Sequence, residues 1–263
     1  MKCSLITSVA ALSLVCLSQS ASAQVLLAVD VNDRVTTDVP DTVTGFSSFV
    51  FSQTGTGGVA TNTTQILGSY TVSLAPFDDN LDENSVSAGI QNGVGLIDDR
   101  DRGTPTTGPY AQIYDDFIFA NTTTGPTGGM NLSISGGALL ANMQYLVSIY
   151  AFDSGSTPLP QPRTADWLDG NNANALIFTT SFIATNLPAA ESDYRFTGLA
   201  TTDENGVLRL LGRNTTANNA LGGVSPGVFL NGFEIQQVPE PSTIALGITG
   251  FAAIVGMSIR RRR

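Results

Sequence analysis

The fold class this sequence predicts is all-β: an antiparallel, jelly-roll-like β-sandwich. Three observations predict it. About ten short segments are rich in β-branched and aromatic residues and are separated by Gly, Asn, Asp, Thr and Pro. In Met130-Asn131-Leu132-Ser133-Ile134-Ser135 apolar and polar residues alternate strictly, the period of a strand with one face on a core and one in water. Between residues 24 and 237 no stretch sustains a helical period. Two packed antiparallel sheets are the simplest way to bury such strands.

Taken in chain order, the expected strands are 25–31, 45–52, 69–75, 113–120, 130–135, 145–153, 176–183, 194–200, 207–212 and 228–236. The segment Tyr145-Leu146-Val147-Ser148-Ile149-Tyr150-Ala151-Phe152 is apolar on both faces and suits a central strand. The Thr- and Gly-rich pieces 54–64, 121–129 and 214–223 read as loops inside one domain, because strands resume directly after each. The Asn-Thr-Thr triplets at Asn62, Asn121 and Asn214 match glycosylation sequons, at irregular spacing that makes no repeat; they read as loop composition.

Both ends of the chain carry addresses. Lys2, the apolar run 5–17 and Ala21-Ser22-Ala23 make the three regions of a secretory signal peptide over residues 1–23, with cleavage expected between Ala23 and Gln24. Cys3 and Cys16 both lie in it, so the ectodomain, residues 24–237, has neither disulfide nor thiol and must rely on a packed core. At the other end, residues 238–243 hold Pro239, Glu240 and Pro241. The prolines fix φ and remove N–H donors, so the stretch is extended and readable by an enzyme. The uncharged segment 243–259 is 17 residues long and as a helix spans about 26 Å, close to the roughly 30 Å of a bilayer's apolar core. Arg260, Arg261, Arg262 and Arg263 then hold the C-terminus on the cytoplasmic side.

A proline-flanked motif, an apolar span and a basic terminus, in that order over residues 238–263, resemble the PEP-CTERM sorting domain of bacterial exported proteins. The resemblance implies recognition at Pro239, Glu240 and Pro241 by an exosortase, a membrane-embedded cysteine transpeptidase-like enzyme of Gram-negative bacteria that usually make exopolysaccharide. It implies an inner-membrane-anchored precursor with a periplasmic ectodomain, later at the cell surface or outside the cell.

Charge narrows the partners. The chain has 12 basic and 22 acidic residues, and setting aside Lys2 and the four terminal arginines leaves seven basic residues, all arginine. Such an acidic ectodomain repels phosphate backbones and carries no basic stripe, which excludes nucleic acid. Solubility or binding of divalent cations fits the balance.

There is no histidine. Ser-His-Asp and Cys-His catalysis, histidine-containing zinc sites and haem held by imidazole are therefore absent by composition. Gly93-Val94-Gly95 opens like a dinucleotide fingerprint, but Asp98 replaces the third glycine. A carboxylate pair for glycoside cleavage would have to come from Asp98, Asp99, Asp115, Asp116 or Glu234, and nothing in the sequence sets two of them across a sugar. Asp78, Asn80 and Asp82 alternate oxygen ligands as a calcium loop does, yet Glu83 stands where an EF-type loop needs glycine and Gly89 where it needs glutamate, so the run is either a calcium site or a solvated acidic turn. Trp167, the single tryptophan, sits among Asp166, Asp169, Gly170 and Asn171; its ring is either an exposed stacking platform for a sugar, with Tyr110 and Tyr114 as weaker candidates, or a core residue. Arg100 and Arg102 either bind a ligand or pair with Asp98, Asp99 or Asp101.

The segments around Asp98-Asp99-Arg100-Asp101-Arg102-Gly103, Tyr114-Asp115-Asp116-Phe117, Tyr145 to Asp153 and Leu230-Asn231-Gly232-Phe233-Glu234-Ile235 also resemble galactose-binding or malectin-like jelly rolls, which implies a carbohydrate-binding type of fold over roughly residues 75–236. Fold does not fix function. Two readings follow: a non-catalytic surface or matrix protein tied to exopolysaccharide or biofilm, and, as the alternative, a carbohydrate-binding module with a defined glycan site.

Overall fold

The structure, a computed structural model, describes residues 23–32, 42–51, 59–60, 63–78, 91–92, 96–101, 111–121, 128–156, 160–215 and 227–238. A compact unit spans Val25–Gln236. The described residues form sixteen strands and a single 3-10 turn, Gln112–Tyr114.

The strands make three sheets. The first has five, in the order β13 (Arg195–Thr201), β10 (Gln144–Tyr150), β16 (Gly232–Gln237), β1 (Val25–Asn32) and β2 (Ser47–Val50). The second runs β12 (Ala175–Phe182), β11 (Arg163–Asp169), β14 (Leu208–Asn214), β9 (Gly128–Gly136), β5 (Tyr70–Asp78) and β4 (Thr63–Leu67), with β6 (Gln91–Asn92) also on β5. The third is β15 (Phe229–Leu230), β8 (Asp116–Asn121), β7 (Leu96–Asp101) and β3 (Val59–Ala60). Pairing is antiparallel throughout the second and third sheets and for β13 with β10 and β16 with β1 in the first, whereas β1 and β2 run parallel with Val29 opposite Ser47.

One apolar cluster joins all three sheets in a sandwich-like arrangement. It includes Val29, Ile149 and Phe233 from the first, Leu132, Trp167 and Leu210 from the second, and Ile97 and Ile118 from the third. Aromatic contacts stitch the layers: Phe152, just past β10, lies 5.4 Å from Phe182 of β12, which lies 5.1 Å from Phe229 of β15. Such ring pairs contribute about 0.5–1.5 kcal/mol beyond the area they bury. In β9, Met130, Leu132 and Ile134 are buried while Asn131, Ser133 and Ser135 are partly exposed, so the alternation in the sequence is the inside and outside of this strand.

Several expectations need correction. Residues 54–64 are not all loop, because β3 and the start of β4 fall within them. β7 and β11 stand where the charged sequence gave no strand. The segment 113–120 opens with the 3-10 turn before β8 begins. The last expected strand is two, divided at Asn231, where the chain leaves the third sheet and enters the first.

Candidate functional site

The most developed polar cluster forms where β13, β10 and β16 lie side by side. Tyr150 ends β10 and is the register partner of Arg195, which begins β13. Glu234 of β16 projects from the same face, because its Oε1 accepts the Tyr150 hydroxyl at 2.8 Å. Its Oε2 accepts Arg195 Nη2 at 2.5 Å and Gln236 Nε2 at 2.8 Å. The Arg195 guanidinium carbon also stands 5.8 Å from the centre of the Tyr150 ring.

Burial grades across the cluster. Tyr150 is 2% exposed and Glu234 8%, whereas the Arg195 side chain keeps 31% of its surface. The Tyr150 ring is hemmed in by Phe46 at 5.9 Å and Tyr114 at 6.3 Å. Burial, followed by its bond to Glu234, pushes the Tyr150 hydroxyl well above its ordinary pKa of 10.0, so it remains a donor across the physiological range. Arg195 Nε is buried and has no hydrogen-bond partner. The result is a fixed, charge-compensated patch: a carboxylate with three donors on it and a guanidinium turned partly to solvent. It suits hydrogen bonding to polar, uncharged groups better than proton transfer.

Other carboxylates serve the backbone. Asp169 accepts the N–H groups of Asn171 at 3.0 Å and Thr201 at 2.8 Å. Asp153 accepts Gly155 N–H at 2.8 Å and the Ser156 hydroxyl at 3.0 Å. Asp193 accepts Ala189 and Ala190 N–H groups at 2.7 and 3.0 Å, and Asp203 those of Asn205 and Val207, both at 2.8 Å. The Val207 N–H, with that of Asn205, holds the Asp203 carboxyl below the usual carboxylate range. Part of the acidic composition is thus explained by loops closed on side-chain oxygens. Among the described residues no three His, Cys, Asp or Glu side chains are grouped to hold a metal.

The residues singled out in the sequence fare differently. Trp167 is no platform: it lies within β11 between Phe178 of β12 and Gly212 of β14 and is fully buried. Gly212 makes the room, since a Cβ there would come within 3.1 Å of the indole and 2.7 Å of Val228. Tyr114 is likewise fully buried; its hydroxyl donates to the Glu191 carbonyl at 2.6 Å and accepts Tyr194 N–H at 3.1 Å. Asn214, a sequon residue, is buried and its Oδ1 accepts Gly227 N–H at 2.7 Å. Arg100 stands 5.0 Å from the ring centre of Phe119. Asp78 ends β5, while Asn80 and Asp82 lie outside the described residues, as do Tyr110, Arg102, Pro239, Glu240, Pro241 and Arg260 to Arg263. Ala23 is half-buried and Gln24 exposed.

Sequence reasoning weighed Glu234 only as one carboxylate of a pair and missed Tyr150 and Arg195 altogether. Their signal is the register itself, which joins residues far apart in the chain.

No protein-family description matches this chain, and no curated protein does. Among solved structures, the arabinose-bound α-L-arabinofuranosidase MgGH51 aligns at 10% identity over 57% of this chain and 23% of that one, with a TM-score of 0.32. The enzymatically active domain of tailspike protein 4 of bacteriophage CBA120 aligns at 7% identity over 64% and 18%, with a TM-score of 0.24. The chain matches less than a quarter of either protein's length, and likeness this slight carries no argument about fold or function.

Proposed function

We propose that this is an exported, non-catalytic surface or matrix protein. Its jelly-roll-like ectodomain is carried by a signal peptide and sorted through a PEP-CTERM tail, in a setting of exopolysaccharide or biofilm. The observation that carries this reading is the order of Pro239-Glu240-Pro241, the apolar segment 243–259 and Arg260 to Arg263. Support comes from the ectodomain, which has no histidine or cysteine and spends Asp153, Asp169, Asp193 and Asp203 on turns. The test is the C-terminal mass of the protein from cells with and without the exosortase-type enzyme. An end near Pro239 to Pro241 in the first and an intact Arg263 in the second is the expected result; an intact Arg263 in both overturns the sorting reading.

The half-exposed Arg195, held by Glu234 beside Gln236, favours a second reading, a glycan-binding module whose site is this sheet face and not Trp167. Glycan binding lost on Arg195→Ala, with folding kept, would support it. Calcium at Asp78, Asn80 and Asp82 belongs to the same proposal; a calcium-dependent rise in Tm that Asp78→Asn removes is its signature.

A further inference from the structure

We propose that Gln24 is a modification site. Once cleavage after Ala23 frees its α-amine, that nitrogen closes onto its own side-chain carbon Cδ to give a pyroglutamyl N-terminus, and the mature chain is left with no primary amine. The inference rests on the export reading above, because Gln24 has a free amine only after the leader is removed.

The chemistry balances without a co-reactant. The bond from the α-nitrogen to Cδ forms, the bond from Cδ to Nε2 breaks, and the side-chain nitrogen leaves as ammonia with the proton the amine gives up. Nucleophile and acyl carbon belong to one residue, so the reaction is unimolecular and the ring that forms has five members.

The structure leaves this reaction unobstructed. Gln24 is exposed, and the chain is anchored from its carbonyl onward: the Gln24 oxygen accepts Gln237 N–H at 2.9 Å. That carbonyl lies outside the new ring, whose members are the nitrogen, Cα, Cβ, Cγ and Cδ of Gln24. Closure therefore displaces no strand and breaks no backbone hydrogen bond.

Composition gives the modification its consequence. The chain's one lysine, Lys2, lies in the leader, and the remaining basic side chains are arginines, which stay protonated. The α-amine at Gln24 would be the only amine nucleophile of the mature chain. With it closed, the protein offers a transpeptidase-type enzyme no amine on which an amide bond to an incoming acyl group could form. It enters any such linkage as the donor alone, through the carbonyl freed at its C-terminal cut.

The test uses folded mature protein recovered from the producing cells and treated with an amine-reactive label before any digestion, since free peptides that begin with glutamine also cyclise. Cleavage after Arg34 then releases residues 24–34 for weighing. The expected peptide carries no label and is lighter than its sequence by one ammonia. A labelled peptide of full mass that starts at Gln24 overturns the inference and leaves export intact. A first peptide that starts at any other residue overturns the inference by removing the cleavage on which it rests. Gln24→Ala, a change at an exposed position, is expected to take up the label and so shows that the reagent reaches this end.

Discussion

The side-chain oxygen of Asn231 accepts the backbone N–H of Phe152 at 2.7 Å, while its Nδ2 donates to the carbonyl of Asp116 at 2.8 Å. Its backbone is engaged too: the N–H donates to Tyr150 O at 2.9 Å and the carbonyl accepts Val31 N–H at 2.8 Å. Asn231 is fully buried and stands where the chain passes from β15 to β16. One amide thus supplies the ladder bonds that two sheets lose at their junction. Asn231→Ala would orphan a buried N–H and a carbonyl, at a cost of about 2–5 kcal/mol. A shift of the urea midpoint to lower concentration, with unchanged slope, checks it.

Trp167→Ala separates a core residue from a ligand platform. Removal of a fully buried indole is expected to cost about 3–5 kcal/mol, read as a fall in Tm or loss of folding. Retained stability would contradict the packing described for β11.

Gln65 closes an open edge. Its side-chain amide accepts Val50 N–H at 3.2 Å and donates to the Val50 carbonyl, so a residue of β4 takes the place of a further strand beside β2. Gln65→Ala is expected to lose about 1–2 kcal/mol and to expose an edge that invites association. Thermal melts, together with light scattering against concentration, read both effects.

Stability against pH follows from the titratable groups. Burial raises the hydroxyls of Tyr114 and Tyr150 above their ordinary 10.0. A raised pKa means that the folded state holds its protons longer, so this contribution is fully present below about pH 10 and is lost as pH rises beyond it. The expected fall approaches about 1.4 kcal/mol per pH unit for each tyrosine. Tyr150→Phe should shallow that slope. On the acid side, the lowered Asp203 makes stability fall as pH drops below its ordinary 3.8. With no histidine, no side chain of that kind bends the curve near neutrality. Denaturant midpoints across the pH range trace the whole profile.

How much of this was legible depended on whether the strand period survived in the residue types. It did in β9, where Met130, Leu132 and Ile134 face inward. In the first five residues of β11 the period is present but disguised: Arg163, Ala165 and Trp167 are buried while Thr164 and Asp166 are partly exposed, so a charged residue opens the inward series before Leu168 and Asp169 are buried as well. Asp166 points the other way, to the Thr179 hydroxyl at 2.7 Å, and Asp169 is taken by the following turn. Charges that look like loop composition are here a buried guanidinium, a cross-strand bond and a turn acceptor. The same disguise hid β7, where Ile97 and Asp99 are buried. The cluster at Glu234 was not legible, because it needs the neighbours of β10 to be known, and short-range pattern fixes which face a residue takes but not which strand lies beside it.

The position of β16 has a consequence for how the protein is made. It is the middle strand of the five-stranded sheet and the last of the sixteen in the chain. A growing polypeptide that lacks residues beyond 228 has β10 and β1 but nothing to join them, and the register of Val25 with Gln236 can form only across nearly the whole length. Completion of the five-stranded sheet therefore waits for synthesis to reach the end of the domain, although every strand of the second sheet is present by residue 214. Until then β1 and β10 have an empty place between them, and the centre of that sheet is the last part of it to be filled.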